Sequence, residues 1–190
     1  MSGKIFITRH GYDPQKGGYI KDPCLDGIPK MGACHPDIRK KLNVGDSIFV
    51  VSGKVRGFDQ FIIGCFDIQE KITMQEAYKR FPEQRLHVRY DGQLAGNVII
   101  NEDGTQHSLD NHKNFEGRLS DYVIGENKIV LESEEEIETG REQTLGVLSN
   151  IFYRTGKKPI DILTRGARNL DPNQVQRLKN WLHSVKQDNV

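Results

Sequence analysis

The chain has 190 residues and a formal net charge of +1, and this length is sufficient for a single domain with its own core. The balanced charge excludes a protein that coats nucleic acid through indiscriminate phosphate contacts, because such binding needs a strong basic excess. No apolar run reaches the length of a membrane span and no signal-peptide block follows Met1, so we expect a cytoplasmic protein with no membrane partner and with three cysteines kept as thiols.

Short apolar stretches rich in Val, Ile and Phe predict six strands. These are Lys4–Thr8, Ser47–Ser52, Gln60–Ile68, Arg85–Arg89, Asn97–Asn101 and Lys128–Leu131. Asp103-Gly104 predicts a hairpin turn after the fifth strand, and Gly125 predicts a turn within Val123–Val130. Most of the strands lie between residues 45 and 131 with short connections. This spacing favours antiparallel pairing, because parallel crossovers need an intervening helix.

Helices are predicted on both sides of the strands. Pro36–Leu42 is a short candidate, and two capping boxes, each a Ser or Thr followed three residues later by Glu, begin at Thr73 and Ser133. Asp171-Pro172 places a proline at the first position of a further helix. The pattern therefore predicts an α+β fold with C-terminal helices over approximately residues 133–186.

Polar residues follow the first two strands of the sequence, and we expect both groups to lie at one edge of the sheet. Loop residues at the ends of strands commonly carry function. The candidate binding residues at this edge are Thr8, Arg9, His10, Tyr12, Ser52, Gly53, Lys54 and Arg56.

Arg9-His10-Gly11 resembles the strand end of histidine phosphatases and phosphoglycerate mutases, and Ser52–Arg56 is similar to their Ser-x-x-x-Arg. This resemblance implies a hydrolase or transferase for nucleotides or phosphoesters. His10 would act as nucleophile or acid–base, with Arg9 and Arg56 on phosphate. The sequence departs from that family, since it lacks the second histidine followed by small residues and the alternating order of strands and helices.

A longer segment carries a second resemblance. A basic helix, Val44-Gly45-Asp46, an apolar strand that ends in Ser52-Gly53, a strand containing Gly64 and another helix follow in that order. Over roughly residues 1–131 this order resembles the PUA-like barrels, particularly their EVE and ASCH branches. Cys34–Arg39 before the Val-Gly-Asp is similar to the nucleotide modification associated domains of the second type.

The PUA-like resemblance implies a single domain over residues 1–190, with a small, mostly antiparallel β-barrel over approximately 1–131. It also implies a rim pocket that takes a flipped, often modified base of DNA or RNA in a system that modifies or restricts nucleic acid. Arg9 and Lys54 would hold phosphates, and Tyr12 or Phe58 would stack on the base. EVE domains carry Tyr-His-Ser after the second strand where this chain has Val50-Val51-Ser52, so the base itself stays open.

Clusters of basic residues and one polar group elsewhere in the chain bear on these interpretations. Basic residues concentrate at Arg39–Lys41, at Lys79-Arg80 and from Lys157 to Arg168, and Arg39 joins the candidate phosphate-binding residues. Asn111, between Asp110 and His112, is a candidate for reading a base edge, although these residue types also favour turns.

We predict no metal, because Cys24, Cys34 and His35 lack the spacing of zinc ligands, and we predict no cofactor. The expected partner is nucleic acid or a nucleotide. An interaction module without a ligand is the remaining alternative. The sequence predicts no oligomeric state.

Overall fold

The structure, a computed structural model, describes residues 1–17, 19–164 and 166–187, so Arg165 of the basic stretch lies outside it. The Cα positions cluster into two compact units. Unit 1 comprises Met1–Gly18, Gly45–Asp67 and Asn127–Val190. Unit 2 comprises Tyr19–Val44 and Ile68–Glu126.

Strands and helices are both present, so the α+β class is confirmed. The strands are β1 Gly3–Ile7, β2 Lys30–Met31, β3 Ser47–Val51, β4 Ile62–Ile72, β5 His87–Val88, β6 Leu94–Ala95, β7 Tyr122–Val130 and β8 Arg168–Leu170. The described residues form five α-helices, α1 Pro36–Lys41, α2 Met74–Arg80, α3 Glu134–Phe152, α4 Pro159–Leu163 and α5 Pro172–Gln187.

Six strands form one sheet in the order β2-β7-β4-β3-β1-β8, and β5 pairs with β6 in a separate hairpin. The pairs β1–β8, β2–β7 and β3–β4 are antiparallel. The exception to the expected pairing is β1–β3, which is parallel with Ile7 opposite Val51. Among the described residues no pairing joins the two ends of this order. The barrel that the PUA-like resemblance implies is therefore not confirmed.

The predicted strand Asn97–Asn101 is wrong. Val98 and Ile100 make single bridges to Arg85 and Gln106 and no ladder. Val98, Ile99 and Ile100 are all buried in the core of unit 2, so consecutive side chains pack inward instead of alternating between two faces. The predicted Asp-Gly turn follows, and there the Asn101 N–H donates to the Thr105 carbonyl at 2.8 Å.

The predicted turn at Gly125 is also wrong, because β7 runs without interruption from Tyr122 to Val130. The Gly125 N–H donates to the Pro29 carbonyl at 2.8 Å, which continues the pairing of β2 with β7. A partner strand on this edge keeps the backbone extended, and that partner is distant in the sequence. The prediction for Arg85–Arg89 was too long, since only His87–Val88 is a strand.

The capping boxes are confirmed. In α2, the Thr73 hydroxyl accepts from the Glu76 N–H at 3.1 Å and the Glu76 carboxylate accepts from the Thr73 N–H at 2.7 Å. In α3, the Ser133 hydroxyl accepts from the Glu136 N–H at 3.1 Å. Each box satisfies N–H groups that the first turn of a helix leaves without a partner.

Each unit has buried apolar residues of its own. In unit 1 every residue of β3 is buried, from Ser47 to Val51. In unit 2 α2 packs Met74 and Ala77 into a cluster with Val98, Tyr122 and Ile124. Of the helices described, none combines the length and apolar character that a membrane crossing requires.

Candidate functional site

The parallel pairing of β1 with β3 brings the two polar segments of unit 1 together. Beyond the strands, the Thr8 N–H donates to the Val51 carbonyl at 2.9 Å and the Gly11 N–H donates to the Lys54 carbonyl at 3.0 Å. Parallel strands end at the same edge of a sheet, so the polar residues after β1 and β3 become neighbours. We call these two segments, residues 8–12 and 52–56, the strand-end rim.

Three predicted base-binding residues of the rim are buried, and hydrogen bonds within the protein use their polar groups. The Thr8 hydroxyl donates to the Tyr12 carbonyl at 3.1 Å. The Ser52 hydroxyl accepts from the Phe61 N–H at 3.0 Å. The Gly53 N–H donates to the Tyr12 carbonyl. These residues hold the rim together and do not offer their donors and acceptors to a base, which corrects that part of the prediction.

Gly53 is required at its position by close packing of the backbone. A Cβ atom there would meet the carbonyl oxygen of Arg9 and the backbone of Tyr12 at distances that real Cβ atoms do not show. The two segments of the rim approach each other this closely because Gly53 has no side chain.

The charged members of the rim are exposed. Arg9, His10, Lys54 and Arg56 all point to solvent, and Tyr12 is half-buried. The buried Asp13 carboxylate, which follows the first rim segment, pairs with Arg141. The exposed cations of the rim are therefore accessible to an anionic ligand.

Arg39 does not belong to this site, which corrects its assignment as a phosphate-binding residue. It lies in unit 2 and is fully buried. Its guanidinium donates to the carbonyls of Cys34, Arg118, Ser120 and Asp121. A buried cation whose donors are engaged in this way joins loops of the fold and is closed to a ligand.

Asn111 is exposed and also lies in unit 2, so it is not part of the rim. Its neighbours form a compact turn. The Nδ1 atom of His112 lies 2.5 Å from an oxygen of Asp110, and the Gln106 amide donates to the other oxygen at 2.7 Å. The preference of these residue types for turns therefore explains Asp110 and His112.

Beside the rim, unit 1 contains an open cavity of about 330 Å³. The following residues line it: Lys54, Phe58, Asp59, Gln60, Arg141, Glu142, Leu145, Lys157, Lys158 and Pro159. We call this cavity the lysine pocket. Its volume lies at the lower end of the range for sites that enclose a small molecule.

The lysine pocket combines cations with an accessible ring. Lys54, Lys157 and Lys158 are exposed, and no described residue pairs with their ammonium groups. The Phe58 side chain is 43% exposed, which is high for a large apolar residue in a folded protein. Asp59 and Glu142 add two carboxylates to the lining, so three exposed ammonium groups share the cavity with two acids.

Arg141 also lines the lysine pocket, but it is buried and differs in this from the three exposed lysines. Its guanidinium makes a bidentate pair with the buried Asp13 carboxylate, at 2.9 and 3.1 Å, and donates to the Asp59 carbonyl at 2.6 Å. The Arg141 guanidinium also lies 5.6 Å from the centre of the Phe58 ring. The ion pair with Asp13 ties α3 to the segment after β1, and the hydrogen bond to Asp59 ties α3 to the segment that carries Phe58.

Two lysines of the pocket lie at the start of α4. The Lys157 and Lys158 N–H groups donate to the Asp161 carboxylate at 2.9 and 3.1 Å. The backbone of the two residues is thereby fixed while their side chains stay free to reach a ligand. Pro159 follows as the first residue of α4, where a missing N–H costs nothing.

The cysteines are not poised for chemistry. Burial, reinforced by the Asp22 carboxylate, raises the pKa of the Cys34 thiol to about 12. Burial also raises the pKa of the Cys65 thiol to about 12. Protonated thiols are poor nucleophiles and poor metal ligands. In the described part of the chain no group of three His, Cys, Asp or Glu residues has the arrangement of a metal site.

The sequence pointed to Lys54 and Phe58 but missed Arg141, Glu142 and Leu145. The run of cations at Lys157-Lys158 was the available signal, but the segment is separated by about a hundred residues from Lys54. Comparisons with protein-family models, with curated proteins and with solved structures found no match for this chain.

Proposed function

We propose that unit 1 binds a nucleotide of DNA or RNA in the lysine pocket. The carrying observation is that unpaired ammonium groups and an exposed aromatic ring line one cavity of about 330 Å³. Lysine is a common phosphate ligand, and an aromatic ring gives a nucleobase a face on which to stack. The base would pack on Phe58 and the phosphate would lie on Lys54, Lys157 and Lys158.

The remaining lining residues suit the edge of a base. The Gln60 amide nitrogen donates to the Ser52 carbonyl at 2.7 Å, which fixes the amide and leaves its oxygen as an acceptor. Asp59 and Glu142 contribute carboxylate acceptors to the same lining. Acceptors of this kind pair with the exocyclic amino groups of adenine, cytosine or guanine.

The resemblance to PUA-like domains extends this proposal. It adds that the base is flipped out of its strand, that it carries a modification, and that the protein acts where nucleic acid is modified or restricted. A panel of short oligonucleotides, each with one methylated or hydroxymethylated base, tests this extension. Tighter binding of one modified oligonucleotide than of its unmodified counterpart would support it.

The binding experiment compares two double variants that remove the same charge. Lys157→Gln/Lys158→Gln should weaken binding of a single-stranded oligonucleotide by roughly tenfold, because it removes two charge-assisted contacts. The slope of log affinity against log salt should fall by at most about 0.7, since the three lysines hold one phosphate and single strands contribute about 0.7 per neutralised phosphate. Lys40→Gln/Lys41→Gln, on exposed residues at the end of α1, is the matched control and should change neither quantity.

Equal affinities and equal salt slopes for the two double variants would contradict the proposed pocket. Phe58→Ala tests the ring separately and should weaken binding with no change in the salt slope, because it removes stacking and no charge. Fluorescence anisotropy across a salt series measures both quantities for every variant.

Phosphoester chemistry at His10 is the alternative from the Arg-His-Gly segment. His10 is exposed, and no described residue holds its imidazole by a hydrogen bond. Catalytic histidines are usually oriented by a partner, so binding without chemistry is the better supported function. Turnover of a generic phosphate ester that disappears in His10→Ala would reverse this preference.

A further inference from the structure

We infer that the partner is a single strand of nucleic acid that extends from the lysine pocket along residues 153–158, with Tyr153 as a second stacking platform. This inference rests on the proposed function and names the form of its ligand. It predicts that an oligonucleotide binds better than a mononucleotide, because a second base and a second phosphate find contacts outside the pocket.

Tyr153 occupies a position where folding favours another residue. It ends α3 in the left-handed conformation, with φ 49° and ψ 41°. Helices commonly place glycine at such a position, because a Cβ atom there is strained. The Tyr153 residue is 89% exposed, so packing does not offset the strain. Residues that break a local rule without a structural gain are expected at functional positions.

The segment that follows is strongly basic. Residues 153–158 read Tyr-Arg-Thr-Gly-Lys-Lys and contain three cations and no acid. Arg154 is exposed, and its N–H donates to the Ser149 carbonyl at 3.2 Å, which holds its backbone against the end of α3. A cation beside a helix C-terminus also complements the helix dipole, which accounts for Arg154 but not for an exposed tyrosine.

The distances suit a strand of a few nucleotides. Tyr153 precedes Lys157 by four residues, so their Cα atoms lie within about 14 Å of each other. Lys157 lines the pocket, so Tyr153 is separated from it by no more than the span of a few nucleotides, and we assign the next base of the strand to its ring. Aromatic platforms alternating with cations are typical of proteins that bind single strands with little sequence preference.

The test uses deoxycytidine monophosphate and an oligodeoxycytidylate of about six nucleotides, a length within the site sizes of single-strand binding folds; cytosine carries the exocyclic amino group that the pocket's acceptors fit. A ribocytidylate series runs in parallel to separate DNA from RNA. The wild-type protein should bind the oligonucleotide at least tenfold more tightly than the mononucleotide, roughly the gain from one stacked base. Tyr153→Gly should lose most of this gain and leave the mononucleotide affinity unchanged.

Tyr153→Gly should also keep or raise the midpoint of thermal unfolding, because glycine suits the left-handed conformation. A structural role for the ring predicts the opposite shift, and a lower midpoint would overturn the inference. Tyr90→Ala is the matched control, since Tyr90 is 97% exposed in unit 2 and should not affect either affinity. Arg154→Gln should lower the salt slope for the oligonucleotide alone by about 0.7.

The outcomes separate the two proposals. Binding of the mononucleotide without any gain for the oligonucleotide would overturn the extended strand and leave the pocket standing. Failure to bind either ligand would refute the pocket itself. A change in sedimentation on Tyr153→Gly, with unchanged oligonucleotide binding, would assign the exposed ring to contact between copies of the chain and overturn the inference.

Discussion

Arg141→Met should destabilise unit 1 more than any substitution of an exposed cation of the lysine pocket. Both partners of the Arg141–Asp13 pair are buried, with 4% of the arginine side chain and 1% of the aspartate side chain exposed. The substitution keeps the apolar stem of Arg141 and removes its charge. The Asp13 carboxylate then stays buried without its cation, and the Asp59 carbonyl loses a donor at 2.6 Å.

The expected loss is about 3 kcal/mol in the free energy of unfolding. Breaking a buried ion pair by removing one partner costs about 3–5 kcal/mol. Here the N–H groups of Gln15 and Lys16 still donate to Asp13, at 3.0 and 3.1 Å, which places the loss near the lower end of that range. For a chain of this size the melting temperature should fall by about 6–12 °C.

Denaturant unfolding of four proteins measures the coupling: the wild type, Arg141→Met, Asp13→Asn and the double variant. The double variant contains no unpaired charge, so it should be more stable than Arg141→Met alone, with a coupling energy of about 2 kcal/mol. Two results would contradict this account of the pair. One is a loss below about 1 kcal/mol in the free energy of unfolding of Arg141→Met. The other is a loss in the double variant that equals the sum of the losses in the two single variants.

Two more predictions concern stability. Gly53→Ala should destabilise the protein because its Cβ atom collides with the Arg9 carbonyl, whereas Gly146→Ala, on an open face of α3, should stabilise it by about 1 kcal/mol. Thermal melts of both variants check this contrast. Equal shifts of the two melting temperatures would count against it. Burial raises the pKa of Glu136, but hydrogen bonds from the Glu132 N–H and from Lys186 outweigh burial and hold that pKa below the ordinary 4.5. A lowered folded pKa means that this stabilisation is complete above about pH 4.5 and is lost as the pH falls through the folded value. The free energy of unfolding that is lost on acidification should therefore be smaller in Glu136→Gln than in the wild type. In the exposed Glu135→Gln this loss should equal that of the wild type. A pH series of unfolding midpoints tests this difference, and identical slopes for Glu136→Gln and the wild type would contradict it.

Local signals were sufficient for the parts of the fold that local chemistry specifies. The apolar runs after Gly3 and Asp46 became β1 and β3, and the boxes at Thr73 and Ser133 began α2 and α3. These features depend on residues only a few positions apart, such as a hydroxyl and an N–H three residues later. For the same reason the sequence predicted that polar residues follow both strands of the rim.

Pairing between distant segments decided the rest. Val98–Ile100 reads as a strand, yet its residues pack inward without a ladder, and Gly125 reads as a turn, yet a partner strand keeps it extended. Burial likewise reassigned Arg39 from ligand binding to the fold. Its partners lie up to 82 residues away, so no local pattern shows that its donors are already engaged.

The sequence by itself determined which segments are apolar, where the main helices begin and that a polar, basic group follows two strands. Only the tertiary structure decided that β1 and β3 run parallel and that Arg141 is held by Asp13 across 128 residues. It also decided that Lys54 and Lys157 line one cavity. The physical reason is that capping and hydrophobic periodicity act within a few residues, whereas ion pairs, close backbone contacts and cavities depend on which distant segments the packing of the core brings together.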